Sequence, residues 1–99
     1  MALTVEYDPL AMREIRHARR RYGRVSAALA ARFIAAFDVA IALASNTPAV
    51  CSPHLDGTRL SRVRKFPYWV VFLEEPQRIL VLSLMHSSRR QGYWRRRLP

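Results

Sequence analysis

In 99 residues the sequence has one cysteine, one lysine, three glycines and three histidines. A single cysteine, Cys51, excludes an intrachain disulfide. The Cys51-Ser-Pro-His54 spacing is a weak hint of metal ligation, but with no second cysteine it does not build a tetrahedral site. No metal and no cofactor are expected. The first residues, Met-Ala-Leu-Thr-Val-Glu-Tyr-Asp, lack the basic segment followed by an apolar run that marks a secretory leader. The alanine-rich stretch from Ala27 to Ala44 is broken by Arg32 and Asp38, too soon for a membrane span. The expectation is a cytoplasmic protein with no membrane contact. Internal repeats and low-complexity linkers are missing as well, and the length suits one domain, residues 1–99. Such a chain buries roughly 60–70% of its unfolded surface, enough for one small core.

Acidic residues are scarce: seven against seventeen basic ones, for a formal net charge of +10. All but one of the basic residues are arginine. A guanidinium binds phosphate or carboxylate through a planar two-pronged fork, which an ammonium cannot do. A surface this positive attracts nucleic acid or an acidic protein partner.

Leu3 to Tyr7 alternates apolar and polar, the pattern of a short strand. Asp8-Pro9 follows, a cap and then a first-turn proline. Ala11, Ile15, Ala18 and Tyr22 recur at helical spacing, while Arg13, Arg16, Arg19 and Arg20 fall on the other faces. Gly23 stops this helix. A second helix is predicted from Val25 to Ser45, with Leu29, Phe33, Phe37, Ala40 and Ile41 as its stripe. So short a link makes the pair an antiparallel hairpin. Pro48 to Thr58, with two prolines and an Asp-Gly, reads as an exposed loop. Arg59 to Arg64 reads as a strand with Ser61 and Val63 on one side and Leu60, Arg62 and Arg64 on the other.

The most informative stretch runs from Lys65 to Arg97. Two apolar runs, Tyr68–Leu73 and Ile79–Leu84, flank Glu-Glu-Pro-Gln-Arg and predict a β-hairpin. The order is β-α-α-β-β-β, an α+β arrangement with a helix hairpin on one face of a small, mostly antiparallel sheet. Both hairpin strands are apolar on both sides: Tyr68, Val70 and Phe72 against Trp69, Val71 and Leu73, then Leu80, Leu82 and Leu84 against Ile79, Val81 and Met85. Strands of this kind are normally covered on both faces, and one helix hairpin covers only one. The remaining cover is either the C-terminal tail, with Tyr93 and Trp94, or another chain. The expectation is that a partner supplies at least part of it.

Phe66-Pro67-Tyr68 opening an apolar strand, then a second strand ending in His86, then Arg89-Arg90 and Tyr93-Trp94-x-x-Arg97, resembles the C-terminal half of the RelE/ParE toxin family. These are toxins of type II toxin–antitoxin modules. The resemblance implies the same fold and an acidic antitoxin as partner, placed on the sheet residues Trp69, Val71, Leu73, Ile79, Val81 and Met85. The ending is more similar to the ParE branch, which inhibits DNA gyrase without covalent chemistry. Arg89, Arg90, Tyr93, Trp94, Arg95, Arg96 and Arg97 would then meet the target. The alternative is a RelE-like, ribosome-dependent mRNA endonuclease. In that case Arg62, Arg64, Lys65, Arg89 and Arg90 would be phosphate donors, His86 an acid or base, and Tyr93 a stacking or proton-transfer group. No carboxylate base is evident near that end, because Glu74 and Glu75 sit in the hairpin turn. A third class is a non-toxic basic nucleic-acid-binding protein, using Arg19 to Arg21 and Arg95 to Arg97.

Overall fold

The computed structural model describes residues 2–99. Its elements are β1 (Thr4–Tyr7), α1 (Pro9–Gly23), α2 (Ala27–Asn46), β2 (Ser52–Pro53), β3 (Arg59–Val63), β4 (Tyr68–Glu74) and β5 (Arg78–His86). Single 3₁₀ turns lie at Pro48–Val50, Leu55–Gly57 and Arg95–Arg97. The helix boundaries follow from their caps. Asp8 accepts from Leu10 N at 2.8 Å with Pro9 in the first turn, and Ser26 accepts from Leu29 N at 3.0 Å. The second cap places the start of α2 two residues later than its apolar pattern suggested.

The sheet order is β1-β5-β4-β3-β2, with β1 parallel to β5 and every other pair antiparallel. The helix hairpin covers one face. Ala11 and Ala18 of α1 and Phe33, Phe37, Ala40 and Ala44 of α2 meet Val63, Tyr68, Val70, Phe72, Ile79, Val81 and Leu84 in the main core. Rings of Tyr22, Phe33 and Phe66 meet within 5.3 Å of one another, so the Phe66-Pro67-Tyr68 corner is locked under both helices. Among the described residues α2 is the one helix long and apolar enough to suit a membrane, with a mean hydropathy of 1.9. One side of it instead carries the core.

The segment expected to be a loop holds more structure. Ser52–Pro53 pairs with Arg59–Leu60 as a fifth strand, and Cys51 and Thr58 are buried. Burial raises the Cys51 thiol pKa.

Two expectations about the sheet are corrected. The first concerns register. Leu73 pairs with Leu80 and Phe72 with Val81, but Val71 pairs with Ser83, so a bulge at Leu82 inverts the alternation of β5. Ile79, Val81 and Leu84 therefore face the helices, and Leu80, Leu82 and Met85 share the other side with Trp69, Val71 and Leu73. Leu84 and Met85 have exchanged places relative to the simple odd–even reading. The second concerns cover. The far face is not bare: Trp94 is fully buried against it, with Tyr93, Leu98 and Leu55 around it. The chain roofs its own sheet with its C-terminal segment. Val71 and Met85 are buried beneath this segment, and Ile79 and Val81 beneath the helices on the opposite face. Trp69 and Leu73 remain as a half-exposed rim.

Candidate functional site: a cationic cleft between α1 and the end of β5

β1 ends at Tyr7, opposite Val81, while β5 continues for five more residues to His86. Past Val81 the outer edge of β5 has no strand neighbour among the described residues, and α1 leaves the sheet at Asp8, whose N–H donates to Val81 O at 2.9 Å. The space so opened is a cleft of about 910 Å³. From α1 come Arg13, Glu14, Arg16, His17, Arg20 and Arg21; from the strand end and tail come His86, Ser88, Arg89, Tyr93 and Arg97.

Glu14 and Arg97 take the place of the missing strand. Leu84 N–H donates to Glu14 Oε1 at 3.2 Å, and Arg97 Nη1 donates to Leu82 O at 2.8 Å. The two side chains meet in a two-pronged ion pair of 2.9 and 3.1 Å. Tyr93 OH donates to Glu14 Oε2 at 2.7 Å, so its 2.6 Å contact with the buried Ser83 must be one in which Ser83 donates. Burial and the carboxylate together push the Tyr93 phenol up to about 12, with only partial opposition from Ser83 and Arg97. Burial works against the charge on Arg97, and Glu14 outweighs it, leaving the guanidinium pKa raised.

Glu14 is the residue the sequence reading missed. The carboxylate at this end comes from α1, 83 positions before its arginine partner, and only the fold brings them together. It is not a free base, because both oxygens are occupied by donors. His86 packs edge-on against Tyr68 at 5.1 Å, and its Nδ1 accepts from Ser88 N at 3.0 Å, so the neutral ring carries its proton on Nε2.

The predicted residues separate into groups. His86, Arg89, Tyr93 and Arg97 converge on the cleft, with the Arg89 guanidinium 3.9 Å from the Tyr93 ring centre. Arg62 lies elsewhere, stacked on Trp69 on the far face of the sheet at 5.1 Å. Arg64 and Lys65 occupy the β3–β4 turn, Lys65 with φ +70°. Trp94 is fully buried, and Arg97 is paired with Glu14. Neither side chain stands free at the surface, where the expected target-binding set placed it. Arg95 pairs with Asp56 at 2.6 Å, and Arg90 and Arg96 are exposed. His54 stands 5.8 Å from the Trp94 ring and helps to seat the tail.

Residues 5–91 match the family described as ParE toxin of type II toxin–antitoxin system, parDE. Among solved structures the fold is similar to one titled as the chromosomal ParDE toxin–antitoxin system from P. aeruginosa. The TM-score is 0.72 at 10% identity, over 86% of this chain and 96% of that one. No curated protein matches.

Proposed function

This chain belongs to the ParE toxin family and is the toxin of a type II toxin–antitoxin module, and from that premise we propose that it acts in the cytoplasm by inhibiting DNA gyrase through its basic end. One observation carries the choice over message cleavage: the carboxylate and the phenol lining the cleft are both engaged within the chain. Its carboxylate, Glu14, is saturated by Arg97, Tyr93 and Leu84, and Tyr93 is held as a neutral donor. Cutting RNA through a ribose hydroxyl needs a base and an acid in register; of the two imidazoles lining the cleft, His86 has its Nδ1 taken up by Ser88, and among the described residues no hydrogen bond couples it to His17. The phosphate donors of that reading are also dispersed, with Arg62 on the far face of the sheet. Inhibition by binding needs only a rigid basic surface, and Arg89, Arg90 and Arg96 provide the accessible part of one.

The module has an antitoxin partner. With the sheet roofed by the tail, the outer face of α2 offers an apolar surface for it. Ala28, Ala31, Ala35, Val39 and Ala42 form an exposed row at helical spacing, joined by Leu43, with Val39 64% and Leu43 45% exposed. An amphipathic antitoxin segment with acidic flanks suits this row and the surrounding positive charge.

The test is a supercoiling reaction with purified gyrase. The chain is expected to block supercoiling, the antitoxin to restore it, and Arg89→Ala with Arg90→Ala to weaken the block by roughly tenfold. Unimpeded supercoiling beside codon-periodic message cuts in a translating extract would overturn the reading.

A further inference from the structure

We propose that the cleft between α1 and the end of β5 binds the sugar–phosphate backbone of a nucleic-acid strand. This goes beyond gyrase inhibition and does not depend on it. Arg13, Arg16, Arg20, Arg21 and Arg89 line the cleft, and among the described residues none has an acidic partner: the ion pairs of the molecule involve Arg59, Arg78, Arg95 and Arg97. The one carboxylate present is already neutralised by Arg97. Unpaired like charges along one wall repel each other, and an anionic ligand relieves that repulsion.

Geometry selects a linear ligand. Arg13, Arg16 and Arg20 stand at i, i+3 and i+7, so their side chains form a row about 10 Å long on one side of α1. Arg89 faces them from the turn after β5, its plane fixed over the Tyr93 ring. A small anion would engage one end of such a row, whereas a polymer with a charge at every unit engages all of it.

Hydrogen-bond chemistry then separates nucleic acid from acidic protein. The charged lining is made of donors: guanidiniums, with His86 presenting Nε2–H. Both oxygens of Glu14 are used within the chain. A phosphodiester backbone presents acceptors only, and a guanidinium fork fits two of its oxygens at once. A peptide brings a backbone N–H at nearly every residue and finds few acceptors here. The contacts are to backbone, so affinity should be insensitive to sequence and steeply dependent on salt.

Fluorescence anisotropy on the purified chain, without gyrase, tests this. The probes are a labelled twelve-nucleotide single strand, the corresponding duplex, and a glutamate peptide of equal charge. Binding of either oligonucleotide is expected to be tighter than that of the peptide, the stronger one identifying the strand form. Arg13→Ala with Arg20→Ala should weaken it roughly tenfold and lower the salt slope by about 1.4 for single strand or 1.8 for duplex. Arg32→Ala with Arg62→Ala removes the same charge outside the cleft and should change affinity less than about threefold. Circular dichroism checks that each pair of exposed substitutions leaves the fold intact. Equal losses from both pairs, or tighter binding of the peptide, would overturn the proposal. Gyrase inhibition would stand or fall separately in the supercoiling reaction.

Discussion

Tyr93 shows how one side chain ties three parts of the molecule together. Its hydroxyl accepts from Ser83 on β5, donates to Glu14 on α1, and its ring supports Arg89. A phenol with a pKa near 12 binds its proton more tightly when folded than in the unfolded chain, where the usual value is near 10. The stability this contributes is fully present below pH 10 and is lost as pH rises from 10 to about 12. Urea titrations across that range should show the decline in the native chain and a smaller one in Tyr93→Phe. At neutral pH the same substitution should cost about 1–3 kcal/mol, because it leaves the buried Ser83 hydroxyl without its partner. Arg97→Ala should cost about 3 kcal/mol, since Glu14 would keep a largely buried charge with no counterion. Residue-level legibility divided along contact distance. Asp8 as a cap was readable because its partner, the N–H of Leu10, is a neighbour in the chain. Glu14 was not, because nothing near it in sequence marks it as the neighbour of a C-terminal arginine.

Among the elements, the helix hairpin was readable and the sheet only in outline. A helix with one apolar stripe has one way to face a core, so Phe33, Phe37 and Ala40 declared their side at once. A strand that is apolar on both sides has two, and the bulge at Leu82 then reverses the answer partway along β5. That is why Ile79 and Val81 were assigned to the wrong face. The C-terminal segment posed the same difficulty, since Tyr93 and Trp94 suit a lid as well as a binding surface. Trp94 decides it by being fully buried. Gly92, with φ +77°, makes the turn into this segment, and a Cβ there would lie 3.2 Å from the Arg95 side chain. Trp94→Ala should therefore cost about 3–5 kcal/mol and expose Val71, Leu82 and Met85, giving stronger binding of a hydrophobic dye than the native chain shows. Unchanged unfolding by urea would mean that the segment is not part of the cooperative fold.

At the scale of the whole molecule, seven acids cannot balance seventeen bases, and most of the imbalance stays unpaired on the surface. Such a chain repels itself, so binding an acidic antitoxin should stabilise it strongly. With free antitoxin at about one hundred times its Kd, linkage adds about 2.7 kcal/mol, or roughly 10–20 °C in melting temperature for a domain of this size. Differential scanning calorimetry should show that rise for the native pair. It should be reduced by Val39→Asp with Leu43→Asp, which place charge in the exposed apolar row of α2. A full rise with that variant would move the antitoxin's footprint elsewhere. The shortness of β1 has a further consequence. Its last residue sets where the chain quits the sheet, and so how much of β5 is left for arginines to border instead of a backbone ladder. Two more residues of pairing after Tyr7 would narrow the gap, and two fewer would lengthen it. The width of the mouth is thus governed by the length of a short leading ribbon, whose end also fixes where the arginine-bearing helix begins.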